Sequence, residues 1–170
     1  MEIQIQSQIN INEFVNFQLA ANYKKPLFII SSIFGIYFLI ISILNLNDYQ
    51  NYFNLSHTVS LLLGLYIIGF FPIMIIFKSR KLYNTNKSLQ ETIHYSFNEK
   101  SMKVLADTFN HEREYESIYK IKELRKWILI YQNNIVFSMI PKSSFSDEQL
   151  ITFWELISKK SEIKIEKLKK

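Results

Sequence analysis

The chain has 170 residues, of which 20 are basic and 15 acidic, so its formal net charge is +5. This length suits one ordinary domain, or one small domain with a membrane anchor. The absence of cysteine excludes disulfides, thiolate metal sites and cysteine nucleophiles. The charge is uneven: residues 26–77 carry only Asp48, whereas residues 78–170 carry 18 basic and 12 acidic residues, a net of +6.

Residues 1–25 are predicted to form a strand and then an amphipathic helix. Isoleucine alternates with polar residues through most of 2–11, which indicates a strand with one buried face. A single strand cannot bury that face, so we expect it to join a sheet formed by the C-terminal half. Asn12 is expected to cap the helix, which runs past Phe14 and Phe17 and merges with the first span. An interfacial position on the inner leaflet is the alternative.

Residues 26–78 are predicted to form a transmembrane hairpin with spans at 27–46 and 58–77. Each span has 20 residues without a charge and without a polar face of helical period. At about 1.5 Å per residue, each covers a hydrocarbon core of about 30 Å. Pro72 is expected to kink the second span without breaking it. Ser31 and Ser32 are expected to bond back to their own helix.

The basic residues around the hairpin predict its orientation. They stand only at the outer ends of the spans: Lys24, Lys25, Lys78, Arg80 and Lys81. The loop 47–57 has none, and its Tyr49, Tyr52 and Phe53 suit a membrane interface. Basic residues stay cytoplasmic, so we expect an inner-membrane protein with both termini in the cytoplasm and the loop outside.

Residues 87–160 are predicted to form a small β-rich domain. The runs expected to be strands are 91–97, 101–106, 109–118, 119–124, 127–131 and 135–140. This domain has no glycine, so Asn is expected to supply positive φ in its turns, above all at Asn133 and Asn134. Residues 161–170 form a basic tail.

A helix is predicted after the last strand. Pro141 ends that strand, and Ser146 begins the helix with Gln149 completing a capping box. One face of the helix carries Leu150, Phe153, Trp154 and Ile157. Several strands closed by such a helix outline a PH-like β-barrel. The predicted fold class is therefore an α+β membrane protein with a two-helix hairpin and a PH-like domain.

Residues 93–159 resemble the YcxB-like C-terminal domain of bacterial membrane proteins. The residues that carry the likeness are Tyr115, Ile118, Lys120, Ile121 and Glu123, an aromatic-rich hairpin, then Ile140, Pro141, Lys142 and Phe145 before a capped helix. The family often has Trp where this chain has Tyr115. The order of elements is also similar, so the likeness extends over most of the chain. The resemblance implies a bacterial, membrane-anchored, PH-like domain and no established activity.

No catalytic, cofactor or metal site is predicted. His94 and His111 lack the spacing of a catalytic or zinc motif. Glu112, Glu114 and Glu116 are expected to share one face of a strand, which is usually a solvated face. The protein is therefore expected not to be an enzyme and to need no cofactor.

The predicted contact residues are basic: Lys120, Lys122, Arg125, Lys126 and Lys142. Near an anionic leaflet, each basic residue contributes about 1 kcal/mol to binding. We therefore expect the domain to bind anionic lipid headgroups or a protein partner, in a regulatory or scaffold role. A merely solubilising surface is the alternative reading of these charges. Nucleic acid is not expected, because the charges are interspersed with Glu.

Two further alternatives stay open. The first is an immunity-type protein that protects against a toxin, which rests on analogy with small anchored proteins. The second is homo-oligomerisation, which the sequence neither requires nor excludes.

Overall fold

The computed structural model describes residues 2–45 and 55–168. The expectations for the loop residues Tyr49, Tyr52 and Phe53 lie outside the described residues. The chain forms two compact units. We call Asn10–Asn86 the helical unit and Met1–Ile9 with Lys87–Lys170 the two-sheet module.

The elements follow one another in an α+β order. The helices are α1 Ile11–Tyr23, α2 Pro26–Asn45, α3 Leu55–Thr85 and α4 Asp147–Ser158. The strands are β1 Ile3–Ser7, β2 Ile93–Phe97, β3 Ser101–Leu105, β4 Asn110–Glu114, β5 Lys120–Glu123, β6 Trp127–Tyr131, β7 Phe137–Pro141 and β8 Lys164–Glu166.

The first helix begins earlier than predicted and is separate from the span. Asn10, not Asn12, is the N-cap: its backbone is extended and its carboxamide oxygen accepts from the Glu13 N–H at 2.9 Å. The Glu13 carboxylate in turn accepts from the Asn10 N–H at 3.2 Å, which completes a capping box. The predicted merger with the span is wrong, because α1 ends at Tyr23 and α2 restarts at Pro26, where proline suits a first helical position.

Two helices are long and apolar enough to cross a membrane. The apolar stretches are Pro26–Leu44, with a mean hydropathy of 2.6, and Thr58–Thr85, with 2.5. The helix α3 runs unbroken through Pro72. As predicted, Ser31 and Ser32 donate back to carbonyls of their own helix, at 2.7 and 2.9 Å.

The two long helices approach closely at a pair of glycines. A Cβ on Gly64 would lie 3.1 Å from the Gly35 carbonyl oxygen and 2.7 Å from the Leu39 side chain. A Cβ on Gly35 would lie 2.8 Å from Ile68. Small residues at a crossing let two helix backbones approach, so these glycines fix the spacing of the hairpin. Because the two glycines lie on different helices, no sequence motif within one helix predicts their contact.

The strands form two four-stranded sheets. Sheet one has the order β1-β2-β3-β4 and sheet two the order β7-β6-β5-β8. The predicted pairing of the N-terminal strand is confirmed: β1 runs antiparallel to β2, with Ile5 opposite Tyr95. The strand itself is shorter than predicted, since it ends at Ser7.

One apolar core lies between the two sheets and α4. Sheet one contributes Ile5 and Phe97, sheet two contributes Ile121 and Ile140, and α4 contributes Phe153. The capping box of α4 is present as predicted, with Ser146 accepting from the Gln149 N–H at 3.2 Å. Burial of these side chains is the main source of the stability of the module.

The predicted closed barrel is not confirmed. The run after Asn110 leaves sheet one through a 3₁₀ turn at Tyr115–Ser117 before β5 begins. The outer edge of β5 is then occupied by β8, which pairs with it in parallel. A strand has only two edges, so β5 has none left for β4, and the sheets stay separate.

The turns also differ from prediction, since no non-glycine residue among those described has positive φ. Asparagine acts through its side chain instead. Asn98 Oδ1 accepts from the N–H groups of Lys100 and Ser101 at 2.8 and 2.7 Å. Such side-chain bonds stabilise a turn without left-handed backbone.

Candidate functional site

Four charged residues meet where β5 turns into β6. We call Glu123, Arg125, Lys126 and Lys142 the cationic corner. The turn is closed by the Leu124 N–H, which donates to the Trp127 carbonyl at 2.8 Å. Lys142 reaches the corner because β7 ends at Pro141, opposite Trp127, and its N–H then donates to the Lys126 carbonyl at 2.9 Å. The Ile-Pro-Lys element thus places a lysine beside the turn.

Glu123 is the acceptor at the centre of the corner. Its carboxylate accepts from the Lys142 ammonium at 2.5 Å and from the Leu168 N–H at 3.1 Å. Partial burial alone would raise the pKa of Glu123, but the bonds from Lys142 and Leu168 outweigh it, and the pKa is lowered. Glu123 therefore stays ionised and holds Lys142 in place.

The other two predicted lysines lie on β5 beside the added strand β8. Lys120 and Lys122 approach the Glu166 carboxylate at 3.5 and 3.2 Å, and Lys164 approaches it at 3.7 Å. The hydrogen bond from Lys122 is the largest cause of the lowered pKa of Glu166. Three lysines share one carboxylate, so this group keeps a net charge of +2.

Arg125 and Lys126 are exposed in the turn itself. Within the described part of the chain, neither forms an ion pair. With Lys142 and Glu123 included, the corner carries a net charge of +2. An arginine guanidinium can bind a carboxylate or a phosphate through a planar pair of donors, and Lys126 and Lys142 add positive charge on backbone segments that are bonded to each other.

Sequence reasoning found the basic residues and missed the tail that partners them. Glu166 and Leu168 lie in the segment expected to be a basic tail, yet β8 pairs there and Ile163 is buried. The signal was present, since Ile163 and Ile165 alternate with charged residues in the period of a strand.

The remaining titratable candidates lie apart on sheet one. His94 is exposed on β2, and His111 on β4 stacks on Phe109 with ring centroids 5.6 Å apart. The predicted row of glutamates is incomplete, because Glu116 lies in the 3₁₀ turn and not on β4. Glu112 accepts a hydrogen bond from the Ser101 hydroxyl at 2.6 Å.

Tyr115 is part of the core rather than of a site. Its side chain is buried, and its hydroxyl donates to the Asn98 carbonyl at 2.9 Å. Burial raises the pKa of Tyr115 to about 12, so the phenol stays protonated. A large aromatic with a donor suits this position, as either Tyr or Trp provides.

Comparison with known proteins gives one match. Residues 97–157 match the family model described as YcxB-like protein. No curated protein and no solved structure matches the chain significantly. The matched segment runs from the end of β2 into α4, and it contains the whole cationic corner but neither long helix nor β8. The resemblance to the YcxB-like family is thus confirmed, for residues 97–157 of this chain.

Proposed function

We propose that this chain is a non-enzymatic integral protein of a bacterial inner membrane whose cytoplasmic, PH-like module binds an anionic group through the cationic corner. The anion would be carried by a lipid headgroup or by an acidic segment of a protein partner, in a regulatory or scaffold role. The observation that carries the proposal is the exposure of Arg125 and Lys126 beside a lysine that Glu123 holds in place.

The strand pairing of the module supports a membrane hairpin. β1 precedes both long helices and β2 follows them, yet the two strands are neighbours in one sheet. A chain that crosses the bilayer between them must therefore cross it an even number of times, as two spans do. The basic flanks of the hairpin favour the cytoplasm for this side.

The PH-like description is a proposal about architecture. It is supported by an antiparallel sheet and a mixed sheet that share a core and by a capped C-terminal helix that buries Phe153 in that core. In such an arrangement the turns at the sheet ends are free to vary, and binding residues are often carried by loops on a rigid scaffold.

The corner is suited to anions for an electrostatic reason. Lys142 is already fixed by Glu123, so little side-chain entropy is lost when an anion adds to it, while Arg125 supplies a planar pair of donors. The module follows α3 after a single residue, Asn86, which keeps it close to any membrane that holds α3. Each basic residue near an anionic leaflet adds about 1 kcal/mol.

Site-specific crosslinking in intact membranes tests the proposal and separates its two anion sources. A photo-crosslinking residue replaces Ser143, which is exposed beside Lys142, and the adducts are identified by mass spectrometry. Lipid adducts would assign the anion to a headgroup, and protein adducts would assign it to a partner.

The test and its matched control change the net charge by the same amount. Arg125→Glu with Lys126→Glu is expected to reduce the adducts about tenfold, as expected for loss of charge pairing. Lys100→Glu with Lys103→Glu makes the same change in charge on sheet one and is expected to leave them unchanged. Adducts that are equal in both double variants would contradict the proposal. The immunity alternative stays a prediction, which co-expression with a neighbouring toxin would test.

A further inference from the structure

The hairpin between β6 and β7 exposes a group of large apolar side chains. Ile135 is 82% exposed, Val136 48% and Phe137 36%. Tyr119 is 49% exposed, and its N–H donates to the carbonyl of Tyr131, whose ring lies 5.0 Å from that of Phe137. We call these five residues the apolar tip. Adjacent apolar exposure of this kind marks a surface that has a partner.

The backbone of the apolar tip is internally bonded. The Gln132 N–H donates to the Val136 carbonyl at 2.9 Å. Asn133 Oδ1 accepts from the N–H groups of Ile135 and Val136 at 2.8 and 2.7 Å. Three backbone donors are thus satisfied without water, which removes much of the penalty for moving the turn into an apolar medium.

Lysines surround the base of the apolar tip. The Lys120 ammonium lies 4.7 Å from the centre of the Tyr131 ring, and Lys120 is in register with Lys164 on β8. Among the residues that the structure describes, the ion pairs of Lys120, Lys122 and Lys164 all go to Glu166, which leaves these four residues with a net charge of +2. From the apex to the base of the tip, the side chains change from aliphatic to tyrosine to lysine. The polarity of a bilayer changes in the same order from the acyl chains to the headgroups.

We propose that the apolar tip inserts into the interfacial layer of the bilayer that holds the chain's own two long helices. A bilayer is the occupant because the module follows α3 after a single residue and therefore meets the membrane at a high effective concentration. The lysines at the base complement an anionic leaflet. The inference rests on the membrane anchoring in the proposed function and not on the cationic corner.

Insertion of the apolar tip would also identify the anion at the corner. β6 runs from Trp127 beside the corner to Tyr131 beside the tip, so the two sites lie at opposite ends of sheet two. A five-residue strand spans roughly 15 Å. Charges are screened over about 8 Å at physiological salt. With the apolar tip inserted, the cationic corner lies one strand length, roughly 15 Å, from the bilayer. It then faces the cytosol and binds an acidic protein segment rather than a headgroup.

The absence of cysteine from the 170 residues permits a direct test in the intact chain. Ile135→Cys and Lys103→Cys, each carrying an environment-sensitive fluorophore, are reconstituted in nanodiscs containing lipids with a nitroxide at a shallow acyl position. The fluorophore at 135 is expected to be quenched at least about threefold more than the one at exposed 103, as interfacial burial requires. Equal quenching at the two positions would overturn the proposal.

A second variant separates insertion from any effect of the label. In this variant the fluorophore is attached to Asn134→Cys. Adding Val136→Asp is expected to abolish the quenching. The control is Ile151→Asp, a charge placed at an exposed apolar residue of α4, and it is expected to leave the quenching unchanged. Both side chains are well exposed, and the module therefore tolerates the charge. Disulfide formation between two Ile135→Cys copies without lipid quenching would assign the tip to self-association and overturn insertion.

The two proposals fail independently. Arg125→Glu with Lys126→Glu, which tests the corner, is expected to leave quenching at 135 unchanged. Quenching at 135 that is lost in this double variant would show that the corner, and not the apolar tip, holds the module at the bilayer.

Discussion

Lys142 donates a hydrogen bond to Glu123 over 2.5 Å, and this contact joins the turn after β7 to the end of β5. The same carboxylate accepts from the Leu168 N–H, so the C-terminal segment is held at the corner too. Three segments that are distant in sequence are therefore joined at the Glu123 carboxylate. Glu123 both orders the corner and limits its positive charge.

Glu123→Gln is expected to lower the free energy of unfolding of the module by about 1 kcal/mol at pH 7, because a charge-assisted hydrogen bond is lost. The effect depends on pH, since the folded pKa of Glu123 lies below its usual value near 4.5. The stabilisation is present above that usual value and is lost as the pH falls through the lowered folded pKa. The wild type should therefore lose more stability on acidification below about 4.5 than the variant does.

Tryptophan fluorescence during denaturation measures this effect on the intact 170-residue chain. Trp127 and Trp154 are the two tryptophans of the chain and both lie in the two-sheet module. Glu162→Gln, at an exposed carboxylate of the tail, is the matched control and should keep the wild-type stability at pH 7. An identical acid profile for Glu123→Gln and the wild type would refute the assigned role of Glu123.

Removal of the first strand's apolar contact should destabilise the whole module. Ile5 is 5% exposed and belongs to the shared core, so Ile5→Ala is expected to cost about 3 kcal/mol. Gln6→Ala, on the exposed face of the same strand, should cost less than about 0.5 kcal/mol. Unfolding followed by tryptophan fluorescence distinguishes the two. Equal stability of both variants would mean that β1 is not part of the folded module.

Alanine substitution at the helix crossing is expected to destabilise the hairpin. Gly64→Ala places a methyl group 2.7 Å from Leu39 and 3.1 Å from the Gly35 carbonyl, so overpacking should cost about 2 kcal/mol. A Cβ added at Gly69 would meet no neighbouring atom within 4 Å, and Gly69→Ala should cause no loss. Thermal denaturation in detergent, followed by helical circular dichroism, compares the two. A Gly69→Ala protein that is less stable than Gly64→Ala would contradict the packing.

The fold was predictable where one residue pattern determined one element. The apolar run of β6 and the capping box of Ser146 and Gln149 predicted elements that the structure confirms. The strand β8 was missed because the alternation of Ile163 and Ile165 with charged residues covers only a few residues of a lysine-rich tail. The predicted PH-like barrel is not confirmed, because the missed strand β8 takes the edge of β5 that closure needs.

The sequence predicted which basic residues lie in the candidate site, but it did not predict the carboxylates with which they pair. Local sequence placed Arg125, Lys126 and Lys142 near strand ends, but the partner of Lys122 is Glu166, which is 44 residues away along the chain. The apolar tip was hidden for a different reason. Ile135 and Val136 were expected to begin the strand 135–140, but β7 begins at Phe137 and their N–H groups bond to Asn133 in the exposed turn.

We propose that the chain crosses a bilayer twice and returns to the side on which β1 meets β2. Single cysteines at Asn51, between the two helices, and at Lys103, on sheet one, are tested in intact cells with a maleimide that cannot cross membranes. We expect labelling of Asn51→Cys from outside and labelling of Lys103→Cys only after the membrane is permeabilised. Labelling of Lys103→Cys in intact cells to the same extent as Asn51→Cys would contradict it.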